Sequence, residues 1–558
     1  MSSVLLAIVG LTAFLTGYRF YSKFISERIF QLDPNFRTPA HEFNDGVDFV
    51  PTNKFVLWGH HFTSVAGAAP IVGPAIAVIW GWLPAFLWVS IGTVFFAGVH
   101  DAGALWASQR NKAKSIGALT ETVLGKRARS VFMIVIFLLL LMVNAVFAVV
   151  ISNLFIQQPT SVFPAWIVMP VAAIIGFLVY RRGVGLLWPT LIGIVLLYVS
   201  MWAGEFIPIS LPASVGGLPP GVIWILILFA YAAVASLLPV WLLLQPRDYI
   251  NGMQLIVALV VIYLGVFLSA PQIVAPAWNG PAAVAVGAPP LIPLLFVTIA
   301  CGALSGFHGL VASGTTSKQL DKETDVRFVG YLGSTGEGLL ALASIIICTA
   351  GFATVQDWQT FYSSFAAGGM PAFINGGAKI VNDGVGLPIQ FSTTLLAVMA
   401  VLFAATTMDT GVRLQRYIVQ EWGEIYNVPV LKGKVAGTLV AVGSCLALAF
   451  GAGGGGTGGM LIWPLFGTTN QLLAVLTLLV ISVILLRLGR PVRFTLIPLA
   501  FVLVMAVWAL LLQMTGFISQ KNYFLAGMNA LILVATILVV LEAVAALRAG
   551  REGKPRTG

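Results

Sequence analysis

The chain has 558 residues, of which 59% are hydrophobic and only 9% charged, with a mean hydropathy of +0.96. Soluble proteins carry roughly 25% charged residues, so this composition excludes a water-coated globule and predicts an all-α polytopic membrane protein. The formal net charge of +10 raises nucleic acid as a partner, but the placement of the charges argues against it.

Fifteen spans are predicted, at roughly 2–22, 57–80, 83–109, 129–155, 162–180, 186–204, 220–244, 253–271, 291–312, 328–352, 391–411, 434–452, 461–486, 494–516 and 524–547. The apolar run at 131–155, for example, exceeds the ~20 residues needed to cross a bilayer. With the N-terminus outside, the inside loops hold 28 of the 30 Lys and Arg residues, and only Lys379 and Lys521 fall outside. The positive-inside rule therefore orients the chain N-out and C-in. The basic excess is a topology signal that implies the lipid bilayer as partner, and no nucleic acid.

Residues 1–22 are expected to be a retained, peripheral first helix, because Arg19, Lys23 and Arg28 follow the apolar stretch instead of preceding it. Residues 1–558 are expected to form a single membrane domain. Its largest loops are 23–56 inside and 353–390 outside, the latter a short lid or re-entrant structure. Cys301, Cys348 and Cys445 lie in apolar runs and offer neither a disulfide framework nor CxxC spacing.

Span 2 carries GHHFTSVAGAAPIVGP, residues 59–74, in which Gly67, Pro70, Gly73 and Pro74 fall within eight residues. Proline removes an amide donor and glycine tolerates irregular torsions, so this stretch predicts a discontinuous helix unwound over Gly67–Pro74. Such a break is tolerated in a membrane only when it is surrounded by protein or lines a cavity. Secondary transporters bind substrate and ions at breaks of this kind. An inverted repeat of five helices would put the partner break in span 7, where Pro239 is interior.

Titratable groups inside spans are functional candidates because burying a charge is costly. They are His60, His61, His100, Asp101, His308, Glu337 and Asp409. Asp409 lies four residues before Arg413, the spacing of a structural ion pair. One of His60 and His61 is expected to be structural. Asp101 and Glu337 have no basic residue within a helical turn, so each must be protonated or meet a histidine or cation from another helix. A carboxylate beside a histidine is suited to carrying a proton.

Span 9 ends in SGFHGLVASGTTSKQL, with Ser305, Ser313, Thr315, Thr316 and Ser317 around His308. These hydroxyls are either Na⁺ ligands or the means of satisfying a helix end in lipid. GAGGGGTGGM (451–460) lacks the Lys-Ser/Thr of a phosphate-binding loop. The IWPLFGTTNQLLA of span 13 buries Asn470 and Gln471 beside another Gly/Pro interruption.

NKFVLWGHHFTSVAGAAPIVGP, LSGFHGLVASGTTSKQLDKETDVRFVGYLGSTGEGLLA, MDTGVRLQRYIVQE and LIWPLFGTTNQLLA, in order from about residue 53 to 480, resemble the carbon starvation protein A family. The resemblance implies bacterial inner-membrane uptake of peptides or pyruvate on nutrient limitation, coupled to protons. It also implies a five-plus-five inverted-repeat core related to the amino acid–polyamine–organocation superfamily. The repeats would then be residues 57–204 and 220–411, followed by four additional helices over 434–547, with His308 near Gly67–Pro74. The family pattern leads us to expect Gln-Asp where this chain has His100-Asp101.

The expected substrate site is thus Gly67, Ala68, Ala69, Pro70 and Gly73 with His61, His308 and Ser305. Proton coupling is expected from Asp101, Glu337, His100 and His308, with Ser313, Thr315 and Thr316 as ion ligands if sodium is used. No cofactor is expected. A metalloenzyme would have to draw on His60, His61, His100, Asp101 or His308, yet HExxH is missing and adjacent histidines cannot share one helix face. A channel or receptor is the third class, and it would need no proton relay.

Overall fold

The computed structural model describes residues 2–551 apart from 47–48, 186, 240, 366–368 and 452–458. Among the described residues there is no β-strand, as expected where hydrocarbon obliges each segment to satisfy its own backbone. The first helices are α1 (Ser3–Phe30), α2 (Lys54–Val65), α3 (Ala69–Trp80), α4 (Trp82–Gln109) and α5 (Lys126–Gln157). Next come α6 (Val162–Arg182), α7 (Leu187–Gly204), α8 (Pro220–Leu237) and α9 (Leu244–Ser269). Two short helices follow, α10 (Leu291–Thr298) and α11 (Gly306–Gly314), then α12 (Glu323–Ala350) and α13 (Gly369–Val385). The chain ends with α14 (Ile389–Ile425), α15 (Lys434–Gly451), α16 (Gly459–Arg487), α17 (Arg493–Ser519) and α18 (Tyr523–Arg551).

Among the described residues, thirteen helices are long and apolar enough to cross a membrane, and the pair α2–α3, bent by 50°, makes a fourteenth. The first helix runs to Phe30 instead of stopping near residue 22, continued by two wide turns at Gly17–Tyr21 and Ile25–Phe30. The 353–390 segment contains α13, whose Ile380 carbonyl lies against Gly265 of α9.

Three expectations about continuity change. Span 2 is broken, but only Ala66–Ala68 separate its halves. Ala69, Pro70, Gly73 and Pro74 belong to α3, because a proline in the first turn of a helix needs no amide partner. The span predicted at 291–312 is not continuous: seven residues, 299–305, separate α10 from α11. The helix of span 7 stops at Leu237, short of the predicted 244, so Pro239 is not interior to it.

The chain divides into two compact units. The first comprises residues 1–4, 137–274 and 346–466, and the second residues 5–136, 275–345 and 467–558. In the first, the 37-residue α14 is buried along most of its length and is packed by α8, α9, α13 and α15. In the second, α3 packs on α10 while α11 packs on α2 and α4. Both breaks lie in this second unit, and they meet there. A Cβ built on Gly73 would fall 2.6 Å from the carbonyl oxygen of Thr298, at the edge of the second break. Gly73→Ala is therefore expected to destabilise the protein by about 1–3 kcal/mol, the usual cost of overpacking. Gly59→Ala, with nothing within 4 Å of its new methyl, should melt like the wild type in the same detergent.

Candidate functional site

The second unit contains a closed set of ionisable side chains. His308 is the third residue of α11, Asp101 lies on α4 and Glu337 on α12, and all three are buried. His308 Nδ1 lies 2.7 Å from Asp101 Oδ2, and His100 Nδ1 lies 2.7 Å from Asp101 Oδ1. On the other edge of the ring, His308 Nε2 is 3.2 Å from Glu337 Oε2. That separation is within ion-pair reach and longer than either contact of Asp101. His308 thus stands between two carboxylates, one held by two rings and one loosely placed. Buried acids and bases this close share protons as a group instead of titrating singly.

The break that positions His308 is held by side chains from distant segments. A helix end in a membrane needs partners for its orphan carbonyls and amides. Trp88 Nε1 donates to the Ile299 carbonyl at 3.0 Å and Thr93 Oγ1 to that of Gly302 at 2.9 Å. Gln471 Nε2 donates to the carbonyl of Phe296. At the start of α11, Asn470 Oδ1 accepts from Phe307 N at 2.9 Å, and Asn470 Nδ2 donates to Ser305 Oγ at 3.0 Å and Cys301 Sγ at 3.3 Å. Gly302, with φ +90°, brings the break against Ala341, one turn beyond Glu337. Asn470 and Gln471 are legible in the sequence as buried amides, but their role at a break 165 to 175 residues away is not.

The remaining expected residues fall as follows. His61 is buried with Nδ1 2.9 Å from Thr316 Oγ1, and its Nε2 has no hydrogen-bond partner among the described residues. His60 is partly exposed, and its carbonyl accepts from Ser64. The hydroxyls of span 9 do not converge around His308. Ser313 donates to Gly309 O, Thr315 to Val311 O and Ser317 to Ser313 O, each one turn back, while Thr316 meets His61. No group of three His, Cys, Asp or Glu side chains with metal-holding geometry occurs among the described residues, and in particular His60, His61, His100 and Asp101 do not form one. Most of GAGGGGTGGM, residues 452–458, lies outside the described residues.

Asp409 is not paired with Arg413. In the first unit, its Oδ2 contacts Arg247 Nη1 and accepts from Tyr231 OH at 2.7 Å. Arg413 instead donates to the carbonyls of Ala235 and Leu238 at 2.7 and 2.6 Å, and Arg416 to that of Ser236 at 2.7 Å. These arginines close the C-terminal end of α8, where carbonyls lack intrahelical partners. Arg247 falls between the spans predicted at 220–244 and 253–271. It lies in the first turn of α9 and is 0% exposed.

With this geometry in place, comparison with known proteins is informative. Residues 2–351 and 352–509 match the family described as carbon starvation protein CstA. The chain belongs to the CstA family. The peptide transporter CstA of Campylobacter jejuni is 34% identical over 561 residues, covering 90% of this chain and 79% of that protein. The pyruvate/proton symporter BtsT of Escherichia coli is 31% identical over 566 residues, covering 88% and 78%. A solved mutant of the manganese transporter of Eremococcus coleocola shares the fold alone, at 13% identity and a TM-score of 0.50, over 91% of this chain and 99% of that one. This CstA-family chain is a multi-pass membrane transporter and not an enzyme.

Proposed function

We propose that the protein imports small carboxylates, either short peptides or pyruvate, by proton symport with alternating access in the bacterial inner membrane during carbon starvation. The observation that carries this reading is His308, buried in the second unit between Asp101 and Glu337. Intramembrane ionisable groups of this kind mark proton relays. The relatives named for peptide transport and for pyruvate/proton symport agree with it. Protons are the coupling ion and no bound cofactor takes part. The backbone freed at Ala66–Ala68, with Gly67 and the neighbouring His61 and Ser305, offers uncharged contacts for substrate. Sodium comes second, because Ser313 and Thr315 direct their hydroxyls to carbonyls of their own helix.

The test is purified protein in liposomes carrying an internal pH reporter, challenged with pyruvate and then with a tripeptide. Substrate-dependent acidification under an inward proton gradient, collapsed by a protonophore, is the expected result. Sodium-dependent uptake without proton movement would overturn it.

A further inference from the structure

The first unit contains a second buried polar assembly that the proton network does not use. Arg247, Asn251 and Gln254 lie at i, i+4 and i+7 on α9, so they share one face. Each is 0% exposed in a helix otherwise rich in Leu, Ile and Val. Facing them on α14 are Thr406 and Asp409, one turn apart, and Asn251 Nδ2 donates to Thr406 Oγ1 at 2.8 Å. Arg247 Nη1 contacts Asp409 Oδ2 and donates to Tyr231 OH at 2.9 Å, and its Nη2 donates to Asp248 Oδ1 at 3.3 Å.

The stripe is incompletely satisfied. Arg247 Nε, Asp409 Oδ1, Asn251 Oδ1 and both amide atoms of Gln254 lack a hydrogen-bond partner among the described residues. Native proteins pair nearly all buried polar groups, and an unpaired cluster calls for an unseen ligand or water. The chemistry of this cluster selects the ligand. A guanidinium presents a planar fork that matches a carboxylate, and beside it a cation would be repelled. Further along, Asn251 and Gln254 offer two oxygens and one amide donor, the complement of a peptide group. Seven residues of helix rise about 10 Å, the span of roughly three extended residues. Pyruvate would occupy only the Arg247 end.

We infer that the Arg247–Asn251–Gln254 stripe of the first unit binds a short peptide, with its C-terminal carboxylate on Arg247 in place of Asp409. This rests on the proposed carboxylate transport and specifies the substrate. The charged and titratable groups about Asp409 are Arg247 and Asp248 of α9, Tyr231 of α8 and Arg413, one turn along α14. From α6 come the uncharged Trp166, against the Tyr231 ring, and Met169, whose sulfur lies 3.1 Å from Tyr231 OH. Arg413 holds the Ala235 and Leu238 carbonyls through Nη2, and the displaced Asp409 moves to no new guanidinium. Asp409 therefore takes one proton from water as the peptide carboxylate arrives. The exchange leaves the net charge of the cluster unchanged whichever form Asp248 holds, and binding tightens as pH falls. It adds one proton per peptide to any carried through His308.

The experiment measures binding of trialanine, trialanine amide and pyruvate to the purified full chain between pH 5.5 and 8, alongside trialanine uptake in liposomes. The wild type should bind trialanine at least tenfold more tightly than its amide, and more tightly at low pH. Arg247→Gln should weaken trialanine at least tenfold and leave the amide unchanged. Gln254→Leu should weaken trialanine but not pyruvate. Asp409→Asn, which preserves shape, should bind trialanine with no pH dependence. The neutral pair Arg247→Gln/Asp409→Asn guards against misfolding and should still have lost the preference for the free acid. Normal trialanine uptake with equal loss of acid and amide, or with unchanged binding in every variant, would overturn the site while leaving the transport reading intact. A folded wild type that takes up neither trialanine nor pyruvate would overturn both.

Discussion

Glu337→Gln is expected to abolish accumulation driven by a proton gradient while leaving a folded protein that still exchanges substrate across the membrane. A gradient of one pH unit supplies about 1.4 kcal/mol per proton, equivalent to roughly tenfold concentration of substrate. An uncoupled carrier should lose that whole factor and only equilibrate. Glu337 is the member of the network best placed to give up a proton. It meets the His308 ring at the longer distance of 3.2 Å. Asp101, by contrast, meets the Nδ1 atoms of His100 and His308 at 2.7 Å each.

The two acids should therefore separate by readout. Asp101→Asn strips a buried carboxylate from two imidazoles and is expected to cost stability on the order of 3–5 kcal/mol, seen as a lower melting temperature in detergent. Glu337→Gln should melt near the wild type and fail only in coupled uptake. Counterflow of labelled substrate in the absence of any gradient distinguishes an uncoupled carrier from a dead one. If Glu337→Gln liposomes still concentrated substrate tenfold per pH unit, Glu337 would not be a proton carrier.

The residues show which parts of this arrangement are legible in sequence. Composition and apolar runs are local, so the membrane class and nearly all spans follow from them. The break in span 2 was visible through Pro70 and Gly73, but it was displaced by a few residues. Pro70, in the first turn, starts α3 instead of unwinding it. The break at 299–305 lies within an apolar stretch, TIACGALSG, that contains no proline. What stabilises it is tertiary: carbonyls received by Trp88, Thr93 and Gln471. The need of Asp101 and Glu337 for a histidine or cation was deducible from their lack of basic neighbours, and His308 meets it. Asp409 shows the limit of helical spacing as a guide. Arg413 is four residues away, yet the partner is Arg247, 162 residues distant, because Arg413 satisfies the end of α8.

The dependence of the site on such long-range partners gives the second large effect. Asn470→Leu removes the acceptor for Phe307 N and the donor to Ser305 and Cys301, with similar side-chain volume. Each buried polar group left unpaired costs about 1–3 kcal/mol, so a total loss of about 2–5 kcal/mol is expected. Asn470→Asp keeps the acceptor for Phe307 but loses the amide donor, and it should retain part of that stability. Gln471→Leu frees only the carbonyl of Phe296 and should cost less than Asn470→Leu. The loss has a functional consequence as well. Phe307 immediately precedes His308, so slackening the first turn of α11 should blunt coupled uptake even at temperatures where Asn470→Leu remains folded. Tryptophan-monitored melting, with coupled uptake measured well below the transition, tests both halves. Should Asn470→Leu melt with the wild type, or Asn470→Asp prove as damaging as the leucine, Asn470 does not hold the start of α11, and the placement of His308 must rest on its carboxylates alone.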